Sequence, residues 1–89
     1  MTATMVQTRV KDYTTWRKAF DSMQELRNSG GATTDRIYRD ADDPNKVTVI
    51  LRWKSLVNAR NYLTSAEFKD ALARAGVLGQ STIYYFDEV

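Results

Sequence analysis

Residues 47–53, Val-Thr-Val-Ile-Leu-Arg-Trp, restrict the folds open to this chain more than any other stretch. The run is rich in β-branched residues and reads as a strand. One alternation presents Val47, Val49, Leu51 and Trp53; the other presents Thr48, Ile50 and Arg52. Its middle is therefore apolar on both faces, which a sheet with one wet face does not need. A chain of 89 residues has only enough helix to cover one of those faces. The other is expected to meet a partner subunit. Just upstream, Asp42, Asp43, Pro44 and Asn45 are turn formers, through side-chain hydrogen bonds and a fixed φ. Before them the β-rich Ile37-Tyr38 completes a hairpin.

The remaining segments read as strand-helix units around that hairpin. Residues 5–11 alternate, with Val6, Thr8 and Val10 opposite Met5, Gln7, Arg9 and Lys11. Asp12 is placed as an N-cap, and Trp16, Ala19, Phe20, Met23 and Leu26 follow helical spacing up to a stop at Gly30-Gly31. Residues 32–40 are a weaker strand, with Arg36 and Tyr38 on one side and Ile37 and Arg39 on the other. Ser55 caps a second helical region through Leu56, Ala59, Arg60 and Leu63. A restart is predicted at Thr64, because Thr64-Ser65-Ala66-Glu67 has the spacing of a capping box. Phe68, Ala71, Leu72 and Ala75 form its buried side. Gly76 and Gly79 bracket the exit to a last strand, residues 81–86, again apolar or aromatic on both faces.

The order strand, helix, strand, strand, helix, strand is the split βαββαβ pattern of an α+β, ferredoxin-like domain. Right-handed crossovers place both helices on one face of a four-stranded antiparallel sheet. The two-sided strands then call for two sheets stacking face to face in a homodimer. No repeat, low-complexity tract or linker divides the chain, so residues 1–89 are expected to form one domain.

Several chemistries are excluded by composition. Without cysteine there is no disulfide, thiol nucleophile or zinc-thiolate site, and without histidine the commonest general base and nitrogen ligand are missing. Basic residues exceed acidic ones by only two and the signs are interspersed, so no nucleic-acid partner is expected. No carboxylate pair, phosphate-cradling glycine loop or metal cluster stands out, and no cofactor or metal is expected. Asp40, Asp42 and Asp43 lack the glycine and distal glutamate of a calcium loop and read as a hairpin turn. The opening MTATMVQTRV has no apolar core of signal-peptide length, and no segment approaches membrane-spanning length, so a cytoplasmic location without membrane association is expected.

Taken together, an N-terminal strand running into DYTTWRKAFD, then GGATTDRIYRDADDPNKVTVILRW, SAEFKDALARAGV and an aromatic last strand resembles the dimeric α+β barrel superfamily. Within it the chain is similar to small antibiotic-biosynthesis-monooxygenase-like proteins. The resemblance spans essentially the whole sequence. It implies a homodimer and a cofactor-independent oxidation of a small aromatic or polyketide-like molecule, with haem degradation and polyketide cyclisation as other activities of the superfamily. Where the characterised monooxygenases have an Asn, the first strand carries Gln7 and Thr8. The absence of histidine removes the haem ligand used by the haem-degrading relatives.

The candidate catalytic residues are Arg36 and Tyr38, about 7 Å apart on one side of their strand by strand rise. A guanidinium and a phenol so placed can donate to a phenolate or enolate. The bland reading is a surface arginine stacked on a tyrosine and paired with Asp35 or Asp40. The candidate substrate-binding residues are Trp53, Trp16 and Tyr84. Trp53 can stack on a planar ring or be a core aromatic whose N–H finds a carbonyl. Trp16 reads first as core, and Tyr84 and Tyr85 lie on opposite faces, so only one can see a given pocket. Arg9 and Arg52, on strands that otherwise read as buried, each need a partner, for which Asp87 and Glu88 across a dimer are available. Two other functions stay open: a dimer that binds a small hydrophobic ligand without turnover, and a cyclase or isomerase using Tyr38 as an acid.

Overall fold

A computed structural model describes residues 1–89 as a four-stranded antiparallel sheet with four helices. In chain order the elements are β1 (Thr2–Val10), α1 (Tyr13–Ser22), α2 (Gln24–Ser29), β2 (Ala32–Arg39), β3 (Lys46–Trp53), α3 (Leu56–Leu63), α4 (Ala66–Arg74) and β4 (Val77–Asp87). The sheet order β2-β3-β1-β4 puts the hairpin strand β3 beside β1 at the centre. This is the ferredoxin-like α+β fold expected from the element order.

Alternation along the strands separates two faces. Val6 pairs with Val49 and Ile83, and Thr4 with Leu51 and Tyr85, on the side the helices cover. Val47, Leu51 and Trp53 are buried there, joined by Trp16, Ala59, Tyr62 and Leu63 from the helices. Met5 pairs with Ile50 and Tyr84 on the open side. Tyr38, Leu78, Tyr84 and Phe86 are about half exposed on that side.

The caps explain the helix boundaries. Asp12 Oδ2 accepts from the Thr15 N–H at 2.9 Å and from its hydroxyl at 2.8 Å, starting α1 where the sequence indicated. Ser55 Oγ accepts from Asn58 N–H in the same way. The later restart falls one residue past the expected Thr64: Ser65 is the cap, accepting from Phe68 N–H at 3.1 Å. Thr64 instead closes α3, its hydroxyl donating to Arg60 O. The expected single helix from Asp12 to Gly30 is two. Met23 N–H donates three residues back to Phe20 O, and Ser22 Oγ donates to Ala19 O, so side-chain bonding competes with the helical ladder at the break.

In the β2–β3 turn, Asp40 Oδ2 accepts from Asp42 and Asp43 N–H, and Asp43 Oδ1 from Asn45 N–H. Both strand arginines have a carboxylate partner within the chain: Arg9 with Asp43 at 2.6 Å and Arg52 with Glu88 at 2.8 Å. The last strand begins at Val77, earlier than its apolar alternation indicated, and passes through a register shift opposite Gln7 and Arg9. No helix is long and apolar enough to cross a membrane.

Candidate functional site

Between the sheet and the helices lies a cavity of about 70 Å³, lined by 15 residues of which 13 are hydrophobic. Its floor is the helix-covered face of β1 and β3, through Val6, Thr8, Val49 and Leu51. The four-residue step from Trp16 to Phe20 lays their rings in a stack, 5.1 Å between centroids, along one wall. Tyr62 of α3 and Phe68 of α4 close the opposite side, their rings tilted against each other at 5.5 Å.

Thr8 and Arg27 are the two exceptions to this apolar lining. Thr8 Oγ1 accepts from Ser81 Oγ at 3.0 Å. Arg27 is only 5% exposed. Its Nη1 donates to Phe20 O at 2.6 Å, at the carbonyl end of α1, where a cation is favoured. Its guanidinium lies 3.6 Å from the Phe20 ring centroid, and its Nη2 is 3.7 Å from Asp35 Oδ2. Burial lowers the Arg27 pKa, with the charges of Tyr62 and Asp35 opposing it. Burial likewise raises the Tyr62 phenol, and the Arg27 charge pulls it back.

Surface depressions adjoin this cavity. A groove of about 450 Å³ between α4 and β4 shares Leu63, Phe68 and Leu72 with it. A polar cleft of about 330 Å³ beside α2 and β2 shares Arg27 and Leu51.

The residues singled out from sequence fall on both sides of the sheet. Trp16 lines the cavity. Trp53 is fully buried just behind that lining, tilted against Tyr62 at 5.5 Å, with its indole N–H donating to Thr4 Oγ1 at 2.9 Å. Its partner is thus a hydroxyl, where a carbonyl was expected. Arg36, Tyr38 and Tyr84 lie on the open face, Tyr84 stacked on Phe86 at 6.1 Å. Trp53 and Tyr38 lie on opposite faces of the sheet, so within one chain they do not face a common space. Arg27 and Tyr62 went unremarked in the sequence although spacing marks both. Arg27 is four residues after Met23 and seven after Phe20, on the apolar stripe, and Tyr62 is three after Ala59. Arg60, on the second helical region as expected, is exposed and lies over the Tyr85 ring.

Comparison with known proteins bears on this geometry. A candidate antibiotic biosynthesis monooxygenase from Bordetella bronchiseptica superposes with a TM-score of 0.83, at 13% identity, over 99% of this chain and 96% of that one. SnoaB from Streptomyces nogalater, a cofactor-independent oxygenase, gives 0.79 at 14% identity over 99% and 92%. A conserved protein from Methanosarcina mazei gives 0.77 at 15% identity over 99% and 92%. These likenesses show the shared fold. No curated protein matches the sequence. The family model for antibiotic biosynthesis monooxygenase matches residues 3–74, which span β1 through α4 and so every element that walls the cavity, and the chain belongs to that family.

Proposed function

We propose that this chain is a cytoplasmic, homodimeric oxygenase that oxidises a small electron-rich aromatic or polyketide-like molecule with dioxygen, using no bound cofactor. The observation that carries this reading is the apolar cavity under the helices, walled by the stacked Trp16 and Phe20. SnoaB, of the same fold, is a cofactor-independent oxygenase. In such a reaction a ring CH₂ and O₂ become a carbonyl and water, the substrate supplying the electrons. The protein's part is to hold the ring, exclude water and keep the reacting anion desolvated.

Size sets a condition. An apolar cavity of about 150 Å³ takes up benzene, so one of about 70 Å³ must enlarge to hold a ring. Phe68 and Leu72, shared with the groove beside β4, are the side chains whose displacement joins the two spaces. They stand on α4, which has no fully buried residue. We assign Arg36, Tyr38 and Tyr84, on the open face, to the dimer contact. Tyr38 does not line the cavity under the helices, which does not favour it as the acid of a cyclase acting there.

A second reading, binding without turnover, is favoured by one feature: no carboxylate or free amine lines the cavity to take a proton from a substrate. Oxygen uptake by the purified protein against anthrones, quinols and phenols separates the two. Saturable uptake that Ala71→Trp abolishes by filling the cavity, and that Tyr38→Phe leaves intact, is the expected result. Tryptophan quenching without uptake would establish the binding protein instead, and neither signal would remove the cavity from consideration.

A further inference from the structure

We propose that Arg27 anchors an oxyanion at the edge of the ligand, so that the ligand is an apolar ring bearing a carboxylate or phenolate, with its body in the cavity and its charged edge at the polar cleft. The inference rests on the reading of the cavity as the ligand site and adds the chemistry of what enters it.

Arg27 stands where the two spaces meet. It lines both the cavity, with its 13 hydrophobic residues, and the cleft formed by Gln24, Asn28, Thr33, Thr34 and Asp35. A guanidinium carries five N–H donors in a planar fork. Arg27 commits Nη1 to Phe20 O, while Nη2 stands 3.7 Å from Asp35, beyond hydrogen-bond length, and Nε has no acceptor. Since no fully buried side-chain nitrogen or oxygen is left without a partner, these two nitrogens keep some accessible surface, and the cleft that Arg27 lines is where an acceptor can reach them. A cation that is 95% buried, with one hydrogen bond, the Phe20 ring face and an ion pair stretched to 3.7 Å, is incompletely satisfied, because burying charge is costly unless it is closely paired. A planar oxyanion completes it, a carboxylate through two parallel bonds.

The walls point the same way. Apart from Arg27, Tyr62 is the only ionisable side chain lining the cavity, and burial raises its pKa, so it is a poor proton acceptor at neutral pH. A ligand that is to react as an anion must arrive ionised, and Arg27 is the cation that receives it. Asp35, on the cleft side and 40% exposed at its side chain, competes for the same guanidinium. Its carboxylate also repels an incoming anion, which sets an upper limit on affinity in the native chain.

The test is a titration of the native protein with benzoate and benzamide, followed by amide NMR shifts at Leu51 and Phe68. Benzoate is expected to bind about tenfold tighter or more, the usual size of a charge-assisted hydrogen bond. Asp35→Asn should tighten benzoate several-fold and leave benzamide unchanged, which a purely structural Arg27–Asp35 pair would not do. Arg27→Met should erase the difference and Arg27→Lys restore part of it; if either fails to fold, the native ratio and Asp35→Asn still decide. Phenol titrated above and below its own ionisation tells whether the anchor takes a phenolate as well as a carboxylate. Equal affinity for benzoate and benzamide, with shifts at the cavity, overturns the anchor and leaves the cavity as a ligand site. Benzoate shifts confined to the outer surface overturn the anchor, and no shifts with any probe overturn both readings.

Discussion

Thr4 is fully buried, and its hydroxyl is the acceptor for the Trp53 indole, itself fully buried, at 2.9 Å. Replacing Thr4 by valine keeps the shape and strands the indole N–H in the core. The expected cost is about 1–3 kcal/mol, read from the urea midpoint; an unchanged midpoint would mean that the N–H finds another acceptor. Asp12 and Asp43 make a second residue-scale prediction. Asp12 is held below the usual carboxylate range by the Thr15 N–H and then the Thr15 hydroxyl. Asp43 is lowered by the Asn45 N–H and then by Arg9. Their folded pKa values are depressed, so they contribute stability above the unfolded value, near pH 4, and that contribution is lost as pH falls through the folded values. The double variant Asp12→Asn, Asp43→Asn should show a shallower loss of stability between about pH 4 and pH 2, and a profile parallel to that of the native chain would contradict the assignment. Trp16 and Trp53 were legible as buried aromatics because large apolar side chains at core spacing have few other places to go. Arg27 was not, although it stands on the same helical stripe, because its burial depends on Phe20, its carbonyl and Asp35, which are gathered only by the fold.

At the scale of elements, glycines decide how tightly the helical layer meets the sheet. Gly31 has φ +103, and a Cβ there would lie 2.5 Å from Asn58 Nδ2 on α3. Its carbonyl also accepts from Lys54 N–H, tying the start of β2 to the end of β3. Gly79, at the register shift of β4, has φ +68 and open space around its missing Cβ. Alanine at Gly79 therefore carries only the left-handed backbone cost, about 1–2 kcal/mol, whereas alanine at Gly31 adds a steric clash and should cost about 1–3 kcal/mol more. Thermal unfolding of the two variants checks the order, and equal losses would show that Asn58 gives way freely. The caps at Asp12 and Ser55 were legible because an Asp or Ser just before an apolar repeat has one cheap use. The break at Met23 was hidden, since Trp16, Phe20, Met23 and Arg27 continue one apolar stripe straight through it. The early starts of β1 at Thr2 and β4 at Val77 were hidden too. Their outer residues, Thr2-Ala3-Thr4 and Val77-Leu78-Gly79-Gln80, have no clear strand alternation by themselves and are held as strands by pairing of β1 with β3 on one side and β4 on the other.

For the molecule as a whole, the two-sided apolarity of residues 47–53 remains the governing feature. The helices cover Val47, Val49, Leu51 and Trp53, and leave the row Arg36–Ile50–Met5–Tyr84 on the open face. Tyr84 and Phe86, stacked and 42% and 47% exposed, extend that row into an aromatic edge. An exposed patch of this kind suits a protein interface, and in the proposed homodimer one surface meeting its own copy about a two-fold axis would cover it with no second partner. The rim charges suit this arrangement, because Arg9 and Arg52 are already neutralised within their own chain by Asp43 and Glu88. Stable interfaces of this type bury about 1,200–2,000 Å² in total. Light scattering should accordingly return twice the chain mass. Ile50→Lys, at the centre of the open face, should return a single chain mass with the far-ultraviolet spectrum retained, because its side chain points away from the cavity and the helices. The same variant separates assembly from chemistry: ligand binding in the cavity should persist in the isolated chain, since a single chain forms the cavity between its own sheet and helices. A native protein that scatters as one chain would remove the argument from two-sided strands and leave Ile50 and Tyr84 without a physical reason to be apolar.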